Sequence, residues 1–140
     1  MKRYFPFVFS GFLLIVDQVI KYGIQKTKPN SALFLYHENY GFLGNIPAPY
    51  WFILVVMALF LLILVHFLVK AVKNNESGVA VGLSFMIAGA LGNFVDRIQF
   101  GFVVDYIRIW TSIFNLADVM IVVGVAVIIL NSFFKKQKNH

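Results

Sequence analysis

The sequence predicts an all-α membrane protein with four transmembrane helices, and three observations carry that expectation. First, 60% of the 140 residues are hydrophobic and only 13% are charged, against about 45–50% and about 25% in soluble domains. Second, mean hydropathy is +0.81. Third, four stretches approach the roughly 20 mostly apolar residues that a helix needs to cross a bilayer. So little charge cannot cover so much apolar surface, which excludes a soluble globular domain. The same composition excludes disorder. The chain reads as a single integral membrane domain over 1–140, with spans at about 4–22, 51–69, 78–94 and 113–134.

The first span carries Asp17 near its far end. Its basic start, Lys2 and Arg3, is like that of a signal peptide, but the segment is long and no small-x-small site follows, so it is read as a retained helix. The second span is apolar except at His66. The third is rich in small residues (Gly82, Ser84, Ala88, Gly89, Ala90, Gly92), and Ala88 with Gly92 forms a small-xxx-small pair that lets another helix approach. The fourth opens with Asn115 and Asp118. There is no repeat and no low-complexity segment.

Four crossings put both termini on one side. That side holds Lys2, Arg3, Lys70, Lys73, Lys135, Lys136 and Lys138, and the other holds Lys21, Lys26, Lys28, Arg97 and Arg108. The bias places the termini in the cytoplasm. The net charge of +6 is therefore read as orientation and not as nucleic-acid binding. Acids barely influence insertion, yet Asp17, Glu38, Asp96, Asp105 and Asp118 all fall at the outer side and only Glu76 inside. Topology does not explain that skew; a site does. A cation or proton path would instead need acids distributed across the bilayer, and the second span has none.

Two outer loops accompany these acids. Residues 25–50 hold a candidate short strand at 32–36, turn residues Asn39, Gly41, Gly44 and Asn45, and Pro47 and Pro49. Residues 97–112 carry apolar side chains along their whole length, from Ile98 to Trp110, so this loop is expected in the interface or against the bundle.

Asp17 and Lys21 are four apart and can pair on one helix face. Asn93, Asp96 and Arg97 share a face at the outer end of the third span, a spacing that suits a supporting role. Asn115 and Asp118 open the fourth span with the spacing of N-cap and N3, where the helix dipole favours a carboxylate. Asp105 is a lone acid in Gly101-Phe102-Val103-Val104-Asp105-Tyr106-Ile107. Burial raises a carboxyl pKa, and a second nearby carboxylate raises one of the two further. Should the loop fold back, Asp105 and Asp118 lie at one depth, where two carboxyls can share a proton and activate a water. The residues permit that dyad without requiring it.

Other chemistries find little support. The chain has no cysteine, so disulfides, thiolate nucleophiles and Cys metal sites are excluded. His37, His66 and His140 do not converge in sequence, and no His-Glu-x-x-His, Gly-x-Ser-x-Gly or phosphate loop occurs. No metal or cofactor is expected. The basic end, Lys135 to Lys138, reads as an anchor near anionic lipid.

Five blocks in order resemble the lipoprotein signal peptidase (signal peptidase II) family of bacterial membrane aspartyl proteases. They are Asp17-Gln18-Val19-Ile20-Lys21, Asn39-Tyr40-Gly41, the run from Ala88 through Gly92-Asn93-Phe94-Val95-Asp96-Arg97, Gly101-Phe102-Val103-Val104-Asp105-Tyr106-Ile107 and Phe114-Asn115-Leu116-Ala117-Asp118. The resemblance implies a four-helix bundle with a small extracytoplasmic β-cradle from the first loop and an amphipathic outer helix in the third. It implies cleavage of prolipoproteins just before a diacylglyceryl-modified cysteine, with Asp105 and Asp118 as the catalytic dyad. Asp17, Lys21, Asn39, Gly41, Gly89, Gly92, Asn93, Asp96, Arg97, Val103, Asn115 and Ala117 match positions used for substrate contact or support. The implied setting is the bacterial inner membrane, with membrane lipid around a monomeric enzyme whose site faces outward. The sequence departs from the family after Gly41, where Phe42, Leu43 and Gly44 replace small residues followed by an aromatic.

Overall fold

A computed structural model describes residues 5–41 and 46–137. Four helices, α1 (Phe5–Thr27), α2 (Tyr50–Lys73), α3 (Ser77–Phe100) and α4 (Leu116–Gln137), each contain a stretch long and apolar enough to cross a membrane. A three-stranded antiparallel sheet of β1 (Phe34–Asn39), β2 (Val103–Ile109) and β3 (Ser112–Phe114) completes the chain, in the order β1-β2-β3. The departure at Phe42, Leu43 and Gly44, and the turn residue Asn45, lie outside the described residues.

Helix α3 is the hub: α1, α2 and α4 all pack on it. Half of its span is buried, against 11–17% for the others, whose large apolar side chains face outward as lipid-facing helices require. Without a hydrophobic drive between helices in lipid, close backbone approach must hold the bundle. The small residues of α3 provide it on two faces. Gly82 opposes Gly124 of α4, where a Cβ on Gly82 would stand 2.6 Å from the Gly124 carbonyl oxygen. Seven residues on, a Cβ on Gly89 would stand 2.3 Å from the Ala117 carbonyl oxygen. Gly92 turns toward α1, against Leu14 and Asp17, while keeping contact with the Ala117 methyl.

The helices outrun their apolar spans. α1 continues to Thr27 and α3 to Phe100, so Asn93, Asp96 and Arg97 lie within a helix and not at its end. Gly101, at φ 84°, ends α3 in the left-handed conformation open to glycine, and its N–H donates to the Arg97 carbonyl.

The amphipathic outer helix expected after that point is absent among the described residues; the segment forms β2 and β3. The β-branched Val103, Val104, Ile107 and Ile109 suit a strand, and the edge offered by β1 pairs them, with Asn39 opposite Val103 and Phe34 opposite Ile107. The cradle thus draws on both of the loops at this end of the bundle. Strand β1 begins two residues later than the sequence suggests, because Ser31 first closes a turn onto the Phe34 carbonyl through both its N–H and its hydroxyl. Helix α4 starts at Leu116 because 112–114 is strand.

Gly82→Leu is expected to lower the thermal midpoint in detergent, with an overpacking cost of about 1–3 kcal/mol. Gly11→Ala, where an added Cβ meets nothing within 4 Å, should leave the midpoint unchanged or slightly raised. Equal effects would show that backbone contact between α3 and α4 does not hold the bundle.

Candidate functional site

At the end of the bundle formed by the C-termini of α1 and α3 and the N-termini of α2 and α4, polar side chains from α1, α3, β1, β2 and α4 meet. Their centre is Lys21, 1% exposed, whose Nζ lies 2.8 Å from Asp17 Oδ2, 2.9 Å from Asp96 Oδ2 and 3.0 Å from Asn93 Oδ1. One cation faces two carboxylates here, so further donors are needed. The structure supplies them. The Ala117 N–H and the Tyr106 hydroxyl donate to Asp17 Oδ1, the Val104 N–H to Asp96 Oδ2, and Gln18 Nε2 to Asp96 Oδ1. Among the described residues no buried side-chain polar atom is left unpaired.

Asn93 leads from this network to the two remaining aspartates. Its oxygen accepts from Lys21, which turns its amide nitrogen toward Asp118 Oδ1 at 2.7 Å. The same oxygen accepts from Asn115 Nδ2 at 3.1 Å, and that nitrogen also donates to Asp105 Oδ1 at 2.7 Å. A continuous amide chain therefore runs Asp118–Asn93–Asn115–Asp105. Asn39, from β1, donates to the other oxygen of Asp105 at 2.8 Å.

Asn115 and Asp118 also form the capping box that their spacing predicts. The Asp118 N–H donates to Asn115 Oδ1 at 2.9 Å, and the Asn115 N–H to Asp118 Oδ2 at 3.3 Å.

Asp105 and Asp118 line one cavity of about 550 Å³. Asn39, Gly41, Asn93, Arg97 and Val103 line its polar end, and Val56, Met57 and Phe60 of α2 with Ile121 and Val122 of α4 line the apolar remainder. Arg97 donates to the Gly41 carbonyl, whose N–H in turn donates to Asn39 Oδ1, so the loop after β1 is tied to α3. Tyr50 ties α2 in by donating to the Arg97 carbonyl. Burial pushes the Asp105 carboxyl up to about 6; the hydrogen bond from Asn39 opposes the shift and the charge of Asp118 adds to it. Among the described residues, no three His, Asp or Glu side chains are arranged to hold a metal ion.

Every site residue expected from the sequence falls in or beside this cluster. Gly89, Gly92 and Ala117 contribute close backbone packing, while the others contribute side chains or the Gly41 carbonyl. Two residues given no individual role from the sequence prove central. The Tyr106 hydroxyl donates to Asp17 and accepts the Leu116 N–H, joining β2, α1 and the start of α4. Gln18 bridges Asp96 and the Gly92 carbonyl. A buried tyrosine must find a partner for its hydroxyl, which was the available signal for Tyr106.

Lys21→Met leaves Asp17 and Asp96 facing each other unpaired, and should destabilise by about 3–5 kcal/mol. Lys26→Met, at an exposed position, should cost under about 1 kcal/mol. Chemical denaturation in mild detergent checks the pair, and similar losses would show that the buried cation does not hold the cluster.

The comparisons with known proteins bear on this geometry. Residues 9–134 match the family described as Signal peptidase (SPase) II. A lipoprotein signal peptidase of Bartonella henselae is 34% identical over 92% of this chain and 90% of its own, and one of Sinorhizobium fredii is 36% identical over 89% and 84%. A bacterial membrane enzyme solved by the in meso method at 2.3 Å resolution superposes with a TM-score of 0.80 at 32% identity, covering 96% of this chain and 90% of that one. A second, solved at 1.9 Å, gives a TM-score of 0.76 at 33% identity. With the match spanning nearly the whole chain in both sequence and fold, the chain belongs to the signal peptidase II family.

Proposed function

We propose that this chain is an aspartic endopeptidase of the bacterial inner membrane that removes signal peptides from prolipoproteins, cutting just before a diacylglyceryl-modified cysteine. The observation that carries the proposal is the single cavity onto which both Asp105 and Asp118 open, polar at one end and apolar along the rest. A lipidated peptide has the same division: a backbone to be cut and acyl chains that belong in hydrocarbon.

In this reading the two carboxyls share one proton. Asp105 enters protonated, in keeping with its raised pKa. Asp118, ionised, takes a proton from water as the water oxygen bonds to the scissile carbonyl carbon. Asp105 donates to the developing oxyanion. The carbon–nitrogen bond then breaks, and the proton held by Asp118 passes to the departing cysteine amine. The products are the signal peptide with a free carboxylate and the lipidated chain with a free amine. Asn93 and Asn115 hold both carboxylates in place throughout, and Arg97 supplies a cation at the polar end.

The proposed orientation puts both termini in the cytoplasm and the cavity at the outer face. Lys21 and Arg97 are drawn into buried bonding, which leaves only Lys26, Lys28 and Arg108 as the more exposed cations of the site end. The positive bias toward the opposite end is therefore larger than the plain count.

Incubation with a lipobox peptide carrying diacylglyceryl cysteine tests the activity. Asp105→Asn and Asp118→Asn should each cut turnover by at least about 10³-fold while the protein stays folded, and retained cleavage in either variant rejects the dyad. The pH profile has a definite sign. The shared proton is held below about 6 and lost above it, so kcat/KM should fall on the alkaline side of about 6. Bound substrate excludes more water and raises the carboxyl further, so the limb in kcat should lie at higher pH than the limb in kcat/KM.

A further inference from the structure

The turn between β2 and β3 presents Trp110 with its side chain 94% exposed, the most exposed of the large apolar residues described. Its backbone sits at φ 55°, a conformation that glycine adopts freely and a bulky residue adopts at a cost. Nothing inside the fold uses the indole. Near it lie three more uncovered apolar side chains: Ile109, the last residue of β2, and Leu33 and Phe34, held across from Arg108 and Ile107 by the Arg108 N–H bond to the Leu33 carbonyl and the β1–β2 pairing.

The tip is tethered closely to the bilayer. At about 3.3 Å per residue, the six residues to Leu116, where α4 starts, span at most about 20 Å. Other amphipathic aromatics gather at the same end of the bundle. Tyr22 near the end of α1, and Tyr50 and Trp51 at the start of α2, are exposed at this end of the bundle. Aside from Tyr4, which precedes the described residues, every tyrosine and tryptophan lies at this end. An aromatic whose ring is apolar and whose edge carries an N–H or O–H is favoured at the boundary of headgroups and acyl chains.

We infer that the β2–β3 tip is a membrane-interface anchor, with Trp110 seated among the phospholipid headgroups of the leaflet in which α4 begins, and Ile109, Leu33 and Phe34 against the acyl boundary. The occupant is lipid, because the amphipathic aromatics gather at this end of a membrane-spanning bundle and the tip, residues 107–112, carries no acidic residue to oppose phosphate. The anchor fixes the depth of the sheet, and Asp105, on β2, lies five positions before Trp110. This inference does not depend on the proposed chemistry.

The chain has two tryptophans, so Trp51→Phe leaves Trp110 as the sole indole emitter. The full-length variant is reconstituted in phosphatidylcholine vesicles with or without lipid brominated near the glycerol end of its acyl chains. The expected result is a blue-shifted emission that loses more intensity to brominated lipid than to aqueous iodide. Emission at the fully hydrated position, quenched by iodide and untouched by brominated lipid, overturns the inference. Protection from both quenchers overturns it too, by showing that protein, such as a second copy of this chain, covers the tip. If Trp51→Phe fails to fold, Trp110→Cys in this cysteine-free chain accepts a bimane label, and the same two quenchers decide.

Discussion

The contact on which the site depends is a lysine ammonium buried at one end of an apolar bundle. Lys21 is almost fully buried, and a charge so placed persists only with partners of opposite sign and a full set of hydrogen bonds. Asp17 comes from its own helix and Asp96 from α3, so satisfying the cation fastens α1 to the hub. The surplus negative charge then calls for N–H and O–H donors from β2 and α4. Each donor recruited in this way brings another element to one place. Packing among lipid-facing helices is weakly specific, whereas this network tolerates little change of register.

Two features convert that fixed point into an oriented site. Asn93 has a distinct oxygen and nitrogen, and Lys21 occupies the oxygen, so the nitrogen is committed to Asp118. The glycines of α3 let α4 approach closely enough for Asn115 to reach both Asn93 and Asp105. The sheet adds Asn39 from the far side. Polar bonding thus encloses one end of the cavity, while α2 and α4 leave the rest to hydrocarbon.

Local relations were legible in the sequence, and remote ones less so. The four spans follow from apolar length alone, yet that rule stops where apolarity stops, so it misses the turns of α1 and α3 that run on past the spans. Asp17 with Lys21 and Asn115 with Asp118 were readable because both partners sit within one helical turn. Asp96 as the second partner of Lys21 was not, because the pairing crosses between helices 75 residues apart. The apolar run after Gly101 is ambiguous between helix and strand by composition. A left-handed glycine and the edge of β1 decide it, and the second of these lies some seventy positions upstream. Tyr106 and Gln18 stood inside recognised blocks without a role, since their partners come from other elements.

The reciprocal bonding of Asn115 and Asp118 has an evolutionary corollary. The carboxylate at 118 terminates a helix and, under the proposed chemistry, also handles the hydrolytic proton. Selection on the start of α4 and, under the same proposal, selection on turnover therefore fall on one side chain. Under that chemistry a neutral cap would keep the architecture and lose the proton carrier, while a longer acid would misplace the charge.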